Sequence, residues 1–169
     1  AALAQAQRPV ILAGGGVICS EASAELLRFA EHVNVPVYSS FMGKGALSAR
    51  HPLHLGIAGC WGEYPAQEAA RNADVILALG CRFSDIHASS WLPGYTYNIP
   101  PTRLIHVDID PQEIGRNYPT ELGIIGDIRE VLRQLGTMAE AAGPKRERTG
   151  WHEQVEAWKS EWSNFIEQE

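Results

Sequence analysis

The feature that most limits what this chain can fold into is a set of short apolar runs: Val10 to Ala13, Asp74 to Leu79 and Leu104 to Ile109. Each is flanked by Gly, Pro or charged residues. A strand covered on one face alternates polar with apolar residues; a strand covered on both faces is apolar throughout. These runs therefore predict buried parallel strands, and Val35 to Ser39 and Leu122 to Ile125 are weaker runs of the same kind. Parallel strands need crossover connections, and helical spacing fills the gaps. Ala22, Leu26, Phe29, Ala30 and Val33 draw an apolar stripe on a helix read as capped by Ser20. Glu63 to Asn72 and Asp127 to Ala142 also read as helices, the latter opening on Asp127 and Glu130 in a capping arrangement. The fold class that follows is α/β, a Rossmann-like three-layer sandwich with a parallel sheet between helices.

The 169 residues, 45% hydrophobic and 20% charged, suit one domain with a sizeable core. The net charge of -6 argues against nucleic acid, which is bound through clustered Lys and Arg. No apolar run approaches the roughly 20 residues that span a bilayer. The first residues lack the layout of a signal peptide, so the cytoplasm is expected. Cys19, Cys60 and Cys81 are odd in number and scattered, and they read as buried thiols rather than as a disulfide frame or zinc site. The absence of an initiator Met and the helical pattern at the end suggest a piece of a longer protein. Ala141 to Gly150 reads as a linker. Beyond it, Trp151, Val155, Trp158, Trp162, Phe165 and Ile166 share one helix face, which packs back on this domain or docks on another.

Candidate chemistry lies at the ends of the strands. Gly14, Gly15 and Gly16 follow the first strand, where a glycine turn admits a pyrophosphate to backbone N–H groups or simply turns the chain. Gly80 and Arg82 follow the central strand, and a guanidinium there suits phosphate oxygens or pairs with a neighbouring carboxylate. Asp108 is placed to accept from ribose hydroxyls, while Asp110 caps the turn begun by Pro111. Asp127 meets the adenosine half of a ligand or caps its helix. His51 and His54 read as loop residues without a third metal ligand. Neither a Ser elbow, a catalytic Cys–His signature nor a Walker loop is present, so no catalytic residue and no metal ligand is assigned.

Six stretches in order resemble the central domain of thiamine-diphosphate-dependent enzymes, the group that includes acetolactate synthase, glyoxylate carboligase and sulfoacetaldehyde acetyltransferase. They are Arg8 to Gly16, Val35 through Met42-Gly-Lys-Gly45, His51 to Gly56, Ala73 to Phe83, Ile105 to Pro111, and Gly126-Asp127. The resemblance covers about residues 5 to 140 and implies a sheet of about six parallel strands set between two other domains. One of those supplies the glutamate that activates the thiazolium; the other binds the diphosphate and Mg²⁺ through a Gly-Asp-Gly…Asn motif. Gly126-Asp127-Ile128 lacks the second glycine, so thiamine diphosphate and Mg²⁺ are expected only in a full-length enzyme. In synthase-like members the central domain holds FAD as a structural cofactor, in some relatives ADP, and in others nothing. Carried over, the cofactor-binding positions are Gly14, Gly15, Gly16, Ser40, Phe41, Leu55, Ile57, Gly80, Arg82, Asp108 and Asp127.

Two stretches depart from the synthases: Ser84 stands where Asp is usual, and Ser39-Ser40-Phe41 replaces Thr-Thr-Leu. Trp91-Leu92-Pro93-Gly94-Tyr95 is closer to sulfoacetaldehyde acetyltransferase. The resemblance implies residues 1–142 as the central domain and residues 143–169 as a linker and helix leading to a further domain. It also implies a lyase or transferase working as a homo-oligomer, with no catalysis by this domain alone. Two other readings stand beside it: a purely structural domain, and a sirtuin-like NAD-dependent deacylase, against which the scattered cysteines speak.

Overall fold

The structure, a computed structural model, describes residues 2–143 and 147–168. Six strands form one all-parallel sheet: β1 (Pro9–Ala13), β2 (Val37–Ser39), β3 (His54–Ile57), β4 (Val75–Leu79), β5 (Arg103–Asp108) and β6 (Leu122–Ile125), in the order β3-β2-β1-β4-β5-β6. The helices are α1 (Ala2–Gln5), α2 (Gly15–Cys19), α3 (Ser23–Val33), α4 (Tyr64–Asn72), α5 (Ile128–Ala141) and α6 (Thr149–Glu167). The α/β sandwich read from the apolar runs is the fold observed. No helix among the described residues is long and apolar enough to cross a membrane.

The two-sided burial behind the apolar runs is explicit. Val10 and Leu12 of β1, with Ile76 and Ala78 of β4, pack beneath α4 and α6; Ile11 and Ala13, with Val75, Leu77 and Leu79, pack beneath α3 and α5. Successive side chains thus enter opposite cores, which is why neither strand alternates. The order also fixes where ligands belong. Connections leave β1 and β4 toward opposite sides of the sheet, so a crevice opens beyond their carboxyl ends at this switch point.

Several expectations are corrected. His54 is not a loop residue but the first residue of β3, a strand whose polar His54 and flexible Gly56 hide it from an apolar-run search. Ser20 does not cap the long helix. The glycine turn runs straight into α2, Ser20 Oγ donates to Gly16 O at 2.7 Å, and α3 begins only at Ser23. The other capping expectations agree with the structure: Asp127 accepts from Glu130 N–H at 3.1 Å and Asp110 from Gln112 N–H at 2.9 Å. Of the three thiols read as buried, only Cys81 is; Cys19 and Cys60 are exposed.

The stretch read as a linker begins inside α5 and ends inside α6, and its residues 144–146 lie outside the described residues. Arg148 ties it down, since its buried guanidinium donates to Ala6 O at 3.0 Å, Val33 O at 3.2 Å and Leu3 O at 2.9 Å. Beyond that clamp α6 answers the question of its apolar stripe in two halves. Trp151 and Val155 enter the core, with Trp151 Nε1 donating to Pro9 O at 3.1 Å and Trp158 edge-on to Trp151. Phe165 and Ile166, about two turns beyond Trp158, are more than half exposed.

Candidate nucleotide cleft

At the switch point the turns after β1 and β4 touch. Gly14 N–H donates to Leu79 O at 2.9 Å and Gly16 N–H to Gly80 O at 3.0 Å. A Cβ on Gly14 would lie 2.1 Å from Gly80 O, so this glycine is required by chain packing before any ligand is considered. Val17 N–H is likewise spent on Gly14 O. Of the three glycines, only Gly15 has an N–H without a hydrogen-bond partner among the described residues. The glycine turn is therefore largely a joint between two strands, with one amide left without a partner among the described residues.

Above this joint lies a cleft of about 570 Å³, within the range of small-molecule sites. Its floor is Gly15, Gly16 and Gly80; its walls come from the turn after β2 (Ser40, Phe41, Met42), the turn after β3 (Ile57 to Trp61), and Cys81 to His87 after β4, with Asp108 closing the β5 side. Eight of the eleven carried-over positions line it: Gly15, Gly16, Ser40, Phe41, Ile57, Gly80, Arg82 and Asp108. Three do not. Gly14 lies beneath the joint, Leu55 is in the core, and Asp127 caps α5 at the end of β6.

The chemistry of the lining is uneven. Arg82 is exposed, and its guanidinium makes no ion pair or hydrogen bond among the described residues, so the carboxylate-paired alternative is not what the structure shows. A fixed fork of donors thus stands free at the cleft. Asp108 is largely buried and holds Asp110 N–H through Oδ1 at 3.1 Å. Ser40 Oγ is engaged as the acceptor for Gly43 N–H at 3.2 Å. Around these polar groups stand apolar side chains that water meets directly: Phe41, Met42, Trp61 and Ile86, with the Phe41 and Trp61 rings 5.7 Å apart. Exposed apolar surface of this kind marks a groove with something to bind.

One wall is fastened by a buried histidine. His87 Nδ1 lies 3.1 Å from Ala58 O and Nε2 lies 2.6 Å from Tyr97 Oη. Because a carbonyl only accepts, Nδ1 carries the proton and Nε2 accepts from the Tyr97 hydroxyl. Burial holds the imidazole down at about 4, well below its usual 6.5. The turn after β3 joins this wall again through Cys60 N–H to Ile86 O at 3.2 Å. None of Met42, Cys60, Trp61, Ile86 and His87 was read as a site residue from the sequence. They follow strand ends in short turns, where periodicity carries no signal; finding the ends of β2, β3 and β4 first would have pointed to them.

The family model for the thiamine pyrophosphate enzyme central domain matches residues 1–135. Among similar proteins, the probable acetolactate synthase large subunit of Methanocaldococcus jannaschii is 46% identical over 153 residues, which is 90% of this chain and 25% of that protein. Acetolactate synthase isozyme 3 large subunit of Escherichia coli is 37% identical over 161 residues, covering 94% of this chain and 27% of its own length. The acetolactate synthase large subunit of Cyanidium caldarium is 36% identical over 163 residues, with coverages of 95% and 27%. The chain thus spans about a quarter of the length of these relatives. On its match to the family model and its six-stranded parallel sheet, the chain belongs to the thiamine pyrophosphate enzyme central-domain family.

Proposed function

We propose that this chain is the nucleotide-holding middle domain of an acetolactate synthase-like enzyme, with FAD or ADP extended across the cleft at the β1/β4 switch point. The observation that carries this is that Arg82 and Gly15, whose guanidinium and amide have no partner among the described residues, line one groove with exposed apolar side chains. On this reading Arg82 and Gly15 meet phosphate oxygens, Asp108 accepts from a ribose hydroxyl, and Phe41, Met42 and Ile57 cover flat ring surface. The nucleotide orders the cleft and takes no part in bond making. Bond making belongs to thiamine diphosphate and Mg²⁺ held by other domains, where the thiamine serves as electron sink. Asp127 does not fit their diphosphate site, because its carboxylate is committed to capping α5. The active assembly is a homo-oligomer in which α6 leads from this domain to the next. Exposed free thiols suit the reducing cytoplasm.

Titration of the purified chain with FAD, followed by flavin fluorescence, tests the reading, with ADP run in parallel. Saturable binding is expected, and Arg82→Ala should weaken it about tenfold to thirtyfold, as expected for the loss of a charge-assisted hydrogen bond worth roughly 1.5–2 kcal/mol. ADP binding without FAD binding would favour an ADP-holding relative. A folded chain that binds neither would leave the domain a structural layer and end the nucleotide reading.

A further inference from the structure

The chain has three cysteines, at positions 19, 60 and 81, and the fold brings all three to the same cleft. Cys19 comes from α2, Cys60 from the turn after β3, and Cys81 from the turn after β4. Cys19 and Cys60 are exposed free thiols, whereas Cys81 is buried. Burial pushes the Cys81 thiol up to about 12, so it stays protonated and unreactive. A metal does not account for the gathering, since among the described residues no group of three or more His, Cys, Asp or Glu is placed to hold one. The two open thiols instead share their cleft with exposed apolar side chains and with Arg82, the only cation among the lining residues. Those are the groups that draw an anionic reagent toward a nucleophile.

We propose that Cys19 and Cys60 make this cleft a modification site for small anionic disulfides of the glutathione type, and that modification and nucleotide occupancy exclude each other. The thiolate of either cysteine attacks one sulfur of the disulfide. A protein mixed disulfide forms, the original S–S bond breaks, and the departing half leaves as a thiolate that takes up the proton the cysteine released. The cysteine sulfur is oxidised and the departing sulfur reduced. The attached group then lies in the space a nucleotide would fill. Only the exclusion rests on the nucleotide reading; the thiol reaction stands apart from it.

Dithiobis(2-nitrobenzoate), an anionic aromatic disulfide, is the probe. The native chain should release two equivalents of the coloured thiolate, Cys19→Ser and Cys60→Ser should each remove one, and the third should appear only on unfolding. Arg82→Ala should slow this reaction severalfold while leaving alkylation by neutral iodoacetamide unchanged. FAD at about ten times its dissociation constant should slow both thiols about tenfold by mass action, and the modified chain should no longer titrate with FAD. Fewer than two reactive thiols in the native chain, or equal rates with both probes in Arg82→Ala, would overturn the modification site. FAD that binds by fluorescence yet leaves the thiol rates unchanged would overturn the exclusion. If no nucleotide binds, the function proposed above and the exclusion fall together, and the thiol count and the Arg82 contrast still decide the thiol site.

Discussion

Replacing Gly14 by alanine is expected to cost about 4 kcal/mol or more, in the range reserved for severe overpacking, which removes most of the stability of a domain at the lower end of the usual range of about 5–15 kcal/mol. The added Cβ would stand 2.1 Å from Gly80 O, 2.5 Å from Gly80 C and 2.7 Å from Cys81 Cα. All three are main-chain atoms, so no rotamer change relieves the clash. Separating the turns would break Gly14 N–H to Leu79 O and Gly16 N–H to Gly80 O, each worth about 1 kcal/mol net. The joint is glycine on both sides because the strands themselves are adjacent, with Ala13 beside Leu79 in register. Gly80→Ala should be as severe, since its Cβ would meet Gly16 Cα at 2.5 Å in a left-handed backbone at φ +60°. Gly15→Ala is the contrasting variant. Its closest contact would be Met42 Cβ at 3.1 Å, which a shift of a few tenths of an ångström in the turn after β2 relieves, far less than the main-chain overlap at Gly14. That variant should lose no more than about 1 kcal/mol while narrowing the cleft floor. Urea unfolding followed by tryptophan fluorescence separates the three, and an unchanged midpoint for Gly14→Ala would rule out the close joint.

The same glycines show what the sequence disclosed and what it concealed. Three glycines after an apolar run mark a strand-turn-helix passage, and that much was legible. Whether they serve a ligand or the chain was not, because the answer depends on Gly80, sixty-four residues beyond Gly16 and brought beside it only by the pairing of β1 with β4. The strands themselves were legible in proportion to their burial. β1 and β4 lie between two cores and read as unbroken apolar runs, and β5 as a run interrupted by His106 and Asp108; β3, at the sheet edge with His54 and Gly56, did not. Arg82 was visible as a cation after a central strand, yet only the fold shows that it is unpaired among the described residues. The cysteines were misread for a related reason. Spacing along the chain says nothing about convergence at strand ends, and two of the three are at the surface of a cleft formed by the turns after four different strands.

The wall of that cleft should also make the chain sensitive to mild acid. The folded chain holds His87 neutral down to about pH 4, whereas the unfolded chain takes up the proton near 6.5. Between those values the unfolded state binds more protons, so stability rises with pH there. The contribution is complete above pH 6.5, is lost as pH falls toward 4, and changes no further below it. A gap of that width corresponds to about 3 kcal/mol, a large share of a domain's total. His54 and His106 are shifted in the same direction by burial, and they deepen the loss. Protonation also undoes the hydrogen-bond pattern. Nε2 then donates, and the Tyr97 hydroxyl must turn its own proton away inside a buried cluster of Phe83 and Tyr118 rings. His87→Gln, which has a donor and an acceptor but no proton to gain, should lower stability at neutral pH yet flatten its fall between pH 6.5 and 4. Because His87 holds the turn at Ala58 against the Ile86 segment, nucleotide affinity should decline over the same interval, ahead of global unfolding. Parallel urea titrations across that range give the slope directly. A His87→Gln chain with the same slope as the parent would place the acid sensitivity elsewhere and leave the latch a packing contact.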